Sequence, residues 1–565
     1  MKTVDTLNSS KRSLSAPRIE RAYIVNILIN AVIFILIYGF KVLDVTNTRW
    51  LMGSPLGGDI TQHYLGWLAY RNSDWAFPLG LGKGLAGDRS FSVVFTDSIP
   101  LFAFVFKVFR GILPSNFQYF GWFGFINNIL MSFFTTKILK RFKVSDYCGA
   151  FFSILICFNN VMLFKMFYHT ALAAHFMILW AFDILLSVRE KEMSLKKSIL
   201  LFFVFGFLTT SIHSYLLLIC GLIFLAFFVY EILKYKNFVS CIADFISYCA
   251  GALLGLWLWG AFTTGSAGTS FLEYYGLNLN SFFNPMRWGS LILPALPTTG
   301  ECQDEESYMY LGVGLILVAL IDICFVIVKK VKKEDLKEDR KLMISLIVMT
   351  VAALIISLSP EITFGKAVLI KYPVPGVIYK LWSVFRIVAR MAWPVYYMVL
   401  VLGLIAFFKF LPEKAKSIAV ALIFAVQLLD VCPLALSIRY TLTADAQSAE
   451  GTLTGPIWDE IASDSSLDKF ILITAEFNDK NKTVFPVANF AIDHDMTVNQ
   501  FYFARYPYDI DTSEAEALLS LNSGDPSAVY IFTEDNLKDP GIKAVVDNSG
   551  ITLIETDGMY VGIFR

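Results

Sequence analysis

The segment GGDITQHYLGW follows the first long apolar run of the chain and sets an acid, Asp59, four residues ahead of His63, a spacing that puts both on one helical face. A carboxylate so placed can take the proton of an attacking hydroxyl, a role usually worth about two to four powers of ten in rate. The same residues have a structural reading. Asp59-Ile-Thr-Gln62 matches a capping box, with Gly57 and Gly58 freeing the chain just ahead of it. Ile60, Tyr64, Trp67 and Leu68 form an apolar, aromatic side suited to lying on a membrane interface. Asp97, in FTDSIP, is equally a cap for the apolar segment after it or a second carboxylate.

Arg386 and Arg390, in SVFRIVARMAWPVYY, are also four apart and are expected to project from one face of a helix. Two guanidinium forks on one face suit a phosphate or pyrophosphate; anchoring to lipid headgroups is the plainer account. Lys371 and Lys380 precede them and add to the positive neighbourhood. Glu306, at the end of the acidic loop LPTTGECQDEESYMYLG, and Glu273, in FLEYYG, are the further acids of interest. The sequence holds no P-loop, HExxH, CxxC pair or hydrolase elbow, so nucleotide hydrolysis and zinc chemistry have no support in it.

These groups must be held by elements suited to a bilayer. Of 565 residues, 56% are hydrophobic and 17% charged, against about 25% charged in soluble chains. Net charge is zero, which gives no global field for nucleic acid. Runs long enough to span occur near 23–43, 117–136, 147–166, 170–188, 198–212, 214–233, 240–262, 309–328, 342–358, 391–408 and 416–432, about eleven in all. Lys and Arg crowd the N-terminal tail (1–22) and every second connection, from Lys137–Lys143 to Lys409–Lys416, which predicts a cytoplasmic N-terminus and an extracytoplasmic C-terminus. The large outer loops are then 44–116, 263–308 and 359–390. DSIPLFAFVFKVFRGILP, too short to span, reads as an interfacial or re-entrant helix. On this layout His63, His169, His175 and His213, four of the five histidines, gather at the outer face and suggest a polar cavity there, with His175 and His213 best placed to face it.

Residues 436–565 read as a compact α/β domain. FILITAEF, TVFPVANF, AVYIFTE, ITLIET and MYVGIF are strand-like, TSEAEALLSLN and TEDNLKDPGIKAVVDNSG are helical, and Asp557-Gly558 predicts a closing hairpin. The expected fold is thus an α-helical polytopic membrane domain over 23–435, with interfacial helices in its first outer loop, followed by an extracytoplasmic α/β domain.

Together, the acid ahead of amphipathic segments in the first outer loop (GGDITQHYLGW, then TDSIPLFAF), about eleven spans, and FRIVAR at the mouth of a late span resemble the integral-membrane glycosyltransferases of the GT-C type. More narrowly, the chain looks like a bacterial multi-pass family similar to Gram-positive proteins that glycosylate cell-envelope polymers. The resemblance covers the membrane part, to about residue 435. It implies a polyprenyl-phosphate sugar as donor in the outer leaflet, a cell-envelope glycan as acceptor, and a site in the bacterial plasma membrane. Asp59 would be the base or acceptor-orienting group, and Arg386 and Arg390 would contact the lipid phosphate. His63, Asp97, His175 and His213 would line the substrate cavity. Many members carry two adjacent acids where this chain has Gly58-Asp59, while several polyprenyl-monophosphate-sugar enzymes work without metal, so a divalent cation stays open as a cofactor. A transporter or flippase of lipid-linked sugars, and a non-catalytic lipid-binding relative, are the competing readings; no internal repeat of the kind common in transporters is present.

Overall fold

A computed structural model describes residues 20–52, 58–188, 194–263, 272–286, 289–332, 339–443, 453–474 and 480–564. The N-terminal tail up to residue 19, Gly57 and part of the basic run near 333–338 lie outside the described residues. The first part of the chain is helical: α1 (Arg21–Tyr38), α2 (Gly58–Asn72), α3 (Pro100–Val108), α4 (Phe120–Arg141), α5 (Asp146–Cys157), α6 (Asn160–Tyr168), α7 (Phe176–Ser187), α8 (Leu195–Ile212), α9 (Tyr215–Tyr235) and α10 (Phe238–Leu258). It continues through α11 (Glu301–Glu306), α12 (Val313–Val331), α13 (Arg340–Ser357), α14 (Gly376–Trp382), α15 (Trp393–Phe410) and α16 (Glu413–Thr443). Two small hairpins interrupt it, β1 (Leu81–Gly82) with β2 (Phe91–Ser92), and β3 (Glu361–Phe364) with β4 (Ala367–Lys371).

All eleven apolar runs fall on helices. Seven of the described helices are long and apolar enough to cross a bilayer, and α5 with α6, joined at a 46° bend, make an eighth. The others differ for local reasons. α4 carries the buried Asn127 and Asn128 in its middle, α12 carries Asp322 within it and Lys329 and Lys330 in its last turn, and α7 has only 12 residues. The basic connections converge at one end of the bundle, where Lys140 bridges Glu20 and Asp146, Lys409 lies over Phe142, and Tyr230 bonds Asp339.

Polar residues set the packing. Asn26 and Asn30 of α1 are buried and bond Thr136, Ser132 and Ser153 of α4 and α5, the interhelical pairing expected where water is absent. α8 and α10 approach through Gly206 and Gly251: a Cβ on Gly206 would lie 2.1 Å from the Tyr248 carbonyl oxygen. Asn159 caps α6 by accepting from the Met162 amide and so turns the chain between α5 and α6. That bend aims the end of α6 at α2.

α2 departs from the expected interfacial helix. Ile60, Tyr64, Trp67 and Leu68 are all buried inside the protein, where the Trp67 indole donates to the Phe117 carbonyl at 2.9 Å. The helix is walled in by α3, α6 and the C-terminal domain, so its aromatic side is core, not a membrane-facing surface. α3 keeps the amphipathic character, with Val105, Val108 and, just beyond it, Phe109 exposed.

The C-terminal domain contains α17 (Ile457–Ser463), α18 (Val484–Asp493), α19 (Ile510–Ser523), α20 (Glu534–Lys538) and α21 (Pro540–Ser549) around β5 (Lys469–Leu472), β6 (Thr497–Val498), β7 (Ala528–Phe532), β8 (Thr552–Thr556) and β9 (Met559–Ile563). The sheet order is β6-β5-β7-β9-β8, with β6, β5 and β7 parallel and β8 and β9 antiparallel. Asp557 and Gly558, both at positive φ, close the β8–β9 hairpin as expected. TVFPVANF is helix, not strand: Val484, Phe485, Val487, Ala488 and Ala491 are all buried, and Pro486 sits in the first turn, where its missing N–H costs nothing. This helix packs on α2.

The domain is stitched to the first loop by main-chain bonds. The Gly87 amide donates to the Val498 carbonyl at 2.7 Å, the Val498 amide to Gly84 at 2.9 Å, and the Ala504 amide to Phe95 at 2.8 Å. It therefore covers the end of the bundle opposite the basic connections.

Candidate active site

Asp59 lies in the first turn of α2, and its carboxylate faces away from a capping role. Its Oδ2 is 2.6 Å from His169 Nε2, and its Oδ1 is 3.9 Å from Lys480 Nζ. Gln62 does not reach back to the helix start; its side chain donates to the Phe95 carbonyl. Burial works to raise the Asp59 pKa, but His169, Lys480 and His63 outweigh it and hold the carboxyl below the ordinary range, so Asp59 is ionised at neutral pH. Burial and Lys165 push the His169 pKa below the usual imidazole value against the opposing pull of Asp59 and Glu306, and its Nε2 stands within hydrogen-bond reach of Asp59.

Behind His169 lies a buried charge cluster. Its Nε2 is also 3.9 Å from Glu306 Oε1, and Glu306 accepts from Lys165 Nζ at 2.9 Å and from both Nε and NH2 of Arg390 at 3.0 and 2.8 Å. Lys165, Glu306 and Arg390 are each less than 10% exposed. Lys165 and His169 are four apart at the end of α6, which delivers both to this cluster.

A second acid–imidazole pair sits alongside. Asp97 Oδ1 is 3.2 Å from His213 Nε2, and His213 closes α8 while its Nδ1 accepts from the Tyr215 amide. Asp97 is at positive φ, held there as the left-handed end of a 3-10 turn. Burial works to raise its pKa, and His213 and His63 hold it below the ordinary value. His63 lies between the two pairs, buried with neither ring nitrogen partnered among the described residues, and burial pushes its pKa down to about 4.

The arginine pair is split. The chain is not one helix from Arg386 to Arg390: a turn ends near residue 386 and a 3-10 segment begins at Val388. Arg390 is consumed by Glu306. Arg386 instead lies over the Tyr275 ring at 5.5 Å and has no carboxylate partner among the described residues. Lys371 pairs with Glu361, Lys380 is exposed, and Glu273 accepts from Tyr379, so none of the three joins the site.

His175 stands apart. It bonds the Tyr397 hydroxyl at 2.7 Å and packs on Trp393, buried under α15. Two acids on long helices also lie elsewhere: Asp183 of α7 pairs with Lys137 and Arg141 at the basic end, and Asp244 of α10 accepts from Ser198. The structure thus brings together Asp59, His63, Asp97 and His213, with Arg390 behind and Arg386 to one side.

Sequence reasoning set His169 at the outer face without giving it a role, and left out Lys165 and Lys480, the latter lying over the Tyr502 ring at 3.7 Å. Lys165 carried a readable signal, a lone cation in the apolar stretch NVMLFKMFYH. Lys480 carried none, since nothing in DKNKT sets it apart. Among the described residues no three His, Cys, Asp or Glu side chains converge closely enough to hold a metal ion.

A search of curated proteins finds no match to the chain. Two family models cover nearly all of it: a domain of unknown function, DUF6311, matches residues 27–432, and the DUF6311 C-terminal domain matches residues 457–564. With almost three quarters of its length under the first of these, the chain belongs to the DUF6311 family.

Proposed function

We propose that this protein is a membrane glycosyltransferase of the GT-C type, moving a sugar from a polyprenyl-phosphate carrier to a cell-envelope glycan at the outer face of the bacterial plasma membrane. In this reading the bundle crosses the bilayer about eleven times, with the basic end cytoplasmic and the C-terminal domain outside. The observation that carries it is the neighbourhood of an ionised acid and a guanidinium that makes no carboxylate salt bridge among the described residues. Asp59 and Arg386 both act electrostatically on Lys480 and on Tyr502, so a base and an anion-binding group address one region.

The step balances as follows. Asp59 accepts the proton of the acceptor hydroxyl, the acceptor oxygen bonds to the anomeric carbon, and the bond from that carbon to the phosphate oxygen breaks. The phosphate leaves with a negative charge that Arg386 stabilises. His169 fixes the Asp59 carboxylate, and His63, Asp97 and His213 offer hydroxyl partners. Arg390 is a positioning residue, acting through Glu306 and His169.

The test is the sugar composition of purified envelope polymers from a deletion strain, restored with the wild-type gene or with Asp59→Asn. Restoration by the wild type and not by a membrane-inserted, folded Asp59→Asn supports the reading. Equal restoration by both removes Asp59 as the base, and no difference between deletion and wild type removes the transferase.

A further inference from the structure

At the basic end of the bundle the ends of α7, α8, α9 and α10 frame a cavity of about 430 Å³. That is the size of a small-molecule pocket and far larger than a bare metal ion needs. Two acids line it, Asp244 of α10 and Glu231 of α9, together with the hydroxyls of Ser187, Ser198 and Ser240.

Asp244 is the member that the fold leaves unexplained. It is 2% exposed, Ser198 donates to its Oδ2 at 2.7 Å, and its Oδ1 has no partner among the described residues. No Lys, Arg or His among the described residues offsets its charge. A carboxylate buried between helices with one oxygen unmatched costs free energy unless a donor joins it. The Ser198 bond ties α8 to α10, yet an asparagine carbonyl would accept that bond without carrying a charge. The two helices are already held together by the close approach at Gly206 and Gly251.

The geometry points to a binding site for an ammonium group, its N–H bonds directed at the Asp244 carboxylate and the serine hydroxyls, with Glu231 adding a second negative charge. Hydroxyls beside a carboxylate accept from an ammonium, whereas a divalent cation calls for a denser set of charged oxygens. Among the described residues no three His, Cys, Asp or Glu side chains converge to supply one. The surroundings suit either of two carriers of that group. Leu195, in the cavity wall, is 45% exposed, and Phe238, Ile242 and Phe245 of α10 are exposed apolar residues, so an aminolipid headgroup can enter from the bilayer side. A free amine can enter from the basic end. The site lies at the opposite end of the bundle from Asp59 and shares no residue with the proposed transfer, so either reading can fail alone.

The test is equilibrium binding to the full-length protein in phosphatidylglycerol nanodiscs, with short-chain phosphatidylethanolamine as the lipid probe and ethanolamine as the soluble one. Wild type should bind phosphatidylethanolamine about tenfold more tightly than phosphatidylcholine, whose quaternary nitrogen has no N–H to donate. Asp244→Asn should weaken binding about tenfold or more, the loss of one charge-assisted contact. Its ligand-free melting temperature should hold or rise, because an uncompensated buried charge is gone. Glu231→Gln should weaken binding too, and decides by the same measure if Asp244→Asn fails to fold; Asp59→Asn should leave it unchanged. Ethanolamine binding with the same dependence on Asp244, and no preference between the two lipids, supports the ammonium site and assigns it to a free amine. A wild-type chain with neither a preference for phosphatidylethanolamine nor binding of ethanolamine overturns the proposal, as do affinities within twofold of wild type for both Asp244→Asn and Glu231→Gln. The connection between α7 and α8 carries Arg189 and Lys191, outside the described residues. Binding that appears only when both are changed to Gln gives Asp244 to the chain's own cation and also overturns the proposal.

Discussion

His169 Nε2 faces two carboxylates at once, Asp59 at 2.6 Å and Glu306 at 3.9 Å. Because it meets Asp59 at hydrogen-bond distance and Glu306 only across a gap, the imidazole orients the first acid. In the proposed reaction this fixes the base through a partner that does not itself react.

His169→Ala should therefore lower sugar transfer by about tenfold to a hundredfold, through a misplaced Asp59. His169→Gln keeps an N–H donor and should recover part of the loss. The ratio of turnover numbers for the two variants, with donor KM little changed, separates positioning from a merely structural role.

Glu306 is the keystone of its buried cluster. Glu306→Ala leaves Lys165 and Arg390 buried without a counter-charge and should cost about 3–5 kcal/mol. Thermal unfolding in detergent should show a large drop. Replacing Lys165, Glu306 and Arg390 together with apolar residues of similar volume should be far less damaging than Glu306→Ala alone.

Arg386 and Arg390 should behave differently although they look alike in the sequence. Arg390→Gln breaks two charged bonds to Glu306 and should lower the melting temperature. Arg386→Gln should leave the melting temperature near wild type and weaken donor phosphate binding. Equal thermal effects from the two would contradict their separation.

His63 gives a pH signature. Its folded value lies near 4 against about 6.5 unfolded, because burial disfavours the charged ring. Between those values the unfolded chain binds the proton and the native one does not, so stability falls as pH is lowered from 6.5 to 4, by roughly 3 kcal/mol in total from this group. His63→Asn should flatten that part of the melting-temperature profile. Asp97 acts in a lower window, since its depressed value protects stability until the pH drops below the ordinary carboxylate range.

The exposed Arg89–Glu516 bridge joins the first loop to the C-terminal domain at 2.8 Å, with both side chains over 40% exposed. Arg89→Ala should cost no more than about 1 kcal/mol, and less at high salt. Co-purification of the separately expressed halves should be insensitive to it, because the main-chain bonds of Gly84, Gly87 and Phe95 carry the contact.

Hydropathy made the helices legible, because a run of about twenty apolar residues has few other uses. It did not settle which helices are lipid-exposed. α2 has the residues of an interfacial helix, and the packing of α3, α6, α18 and the segment around Phe117 against it explains why Trp67 and Tyr64 are core. TVFPVANF misled for the same reason: an apolar stretch buried on all sides has no periodicity to read. At the site, Asp59 stood out because an acid beside an apolar run is costly. The FRIVAR spacing suggested one face, but a break after Arg386 put the two guanidinia to different uses. Lys480 was invisible, since its meaning lies in the fold that brings it 3.9 Å from a residue 421 positions earlier.

That span along the chain has a consequence for biogenesis. The proposed site draws on residues 59, 169, 306, 386 and finally 480, in the order in which a ribosome releases them. Its acids and histidines are all made before Lys480, which reaches Asp59 only once the C-terminal domain has folded against α2. In the proposed reaction, a chain that stops short of that domain holds an unfinished site.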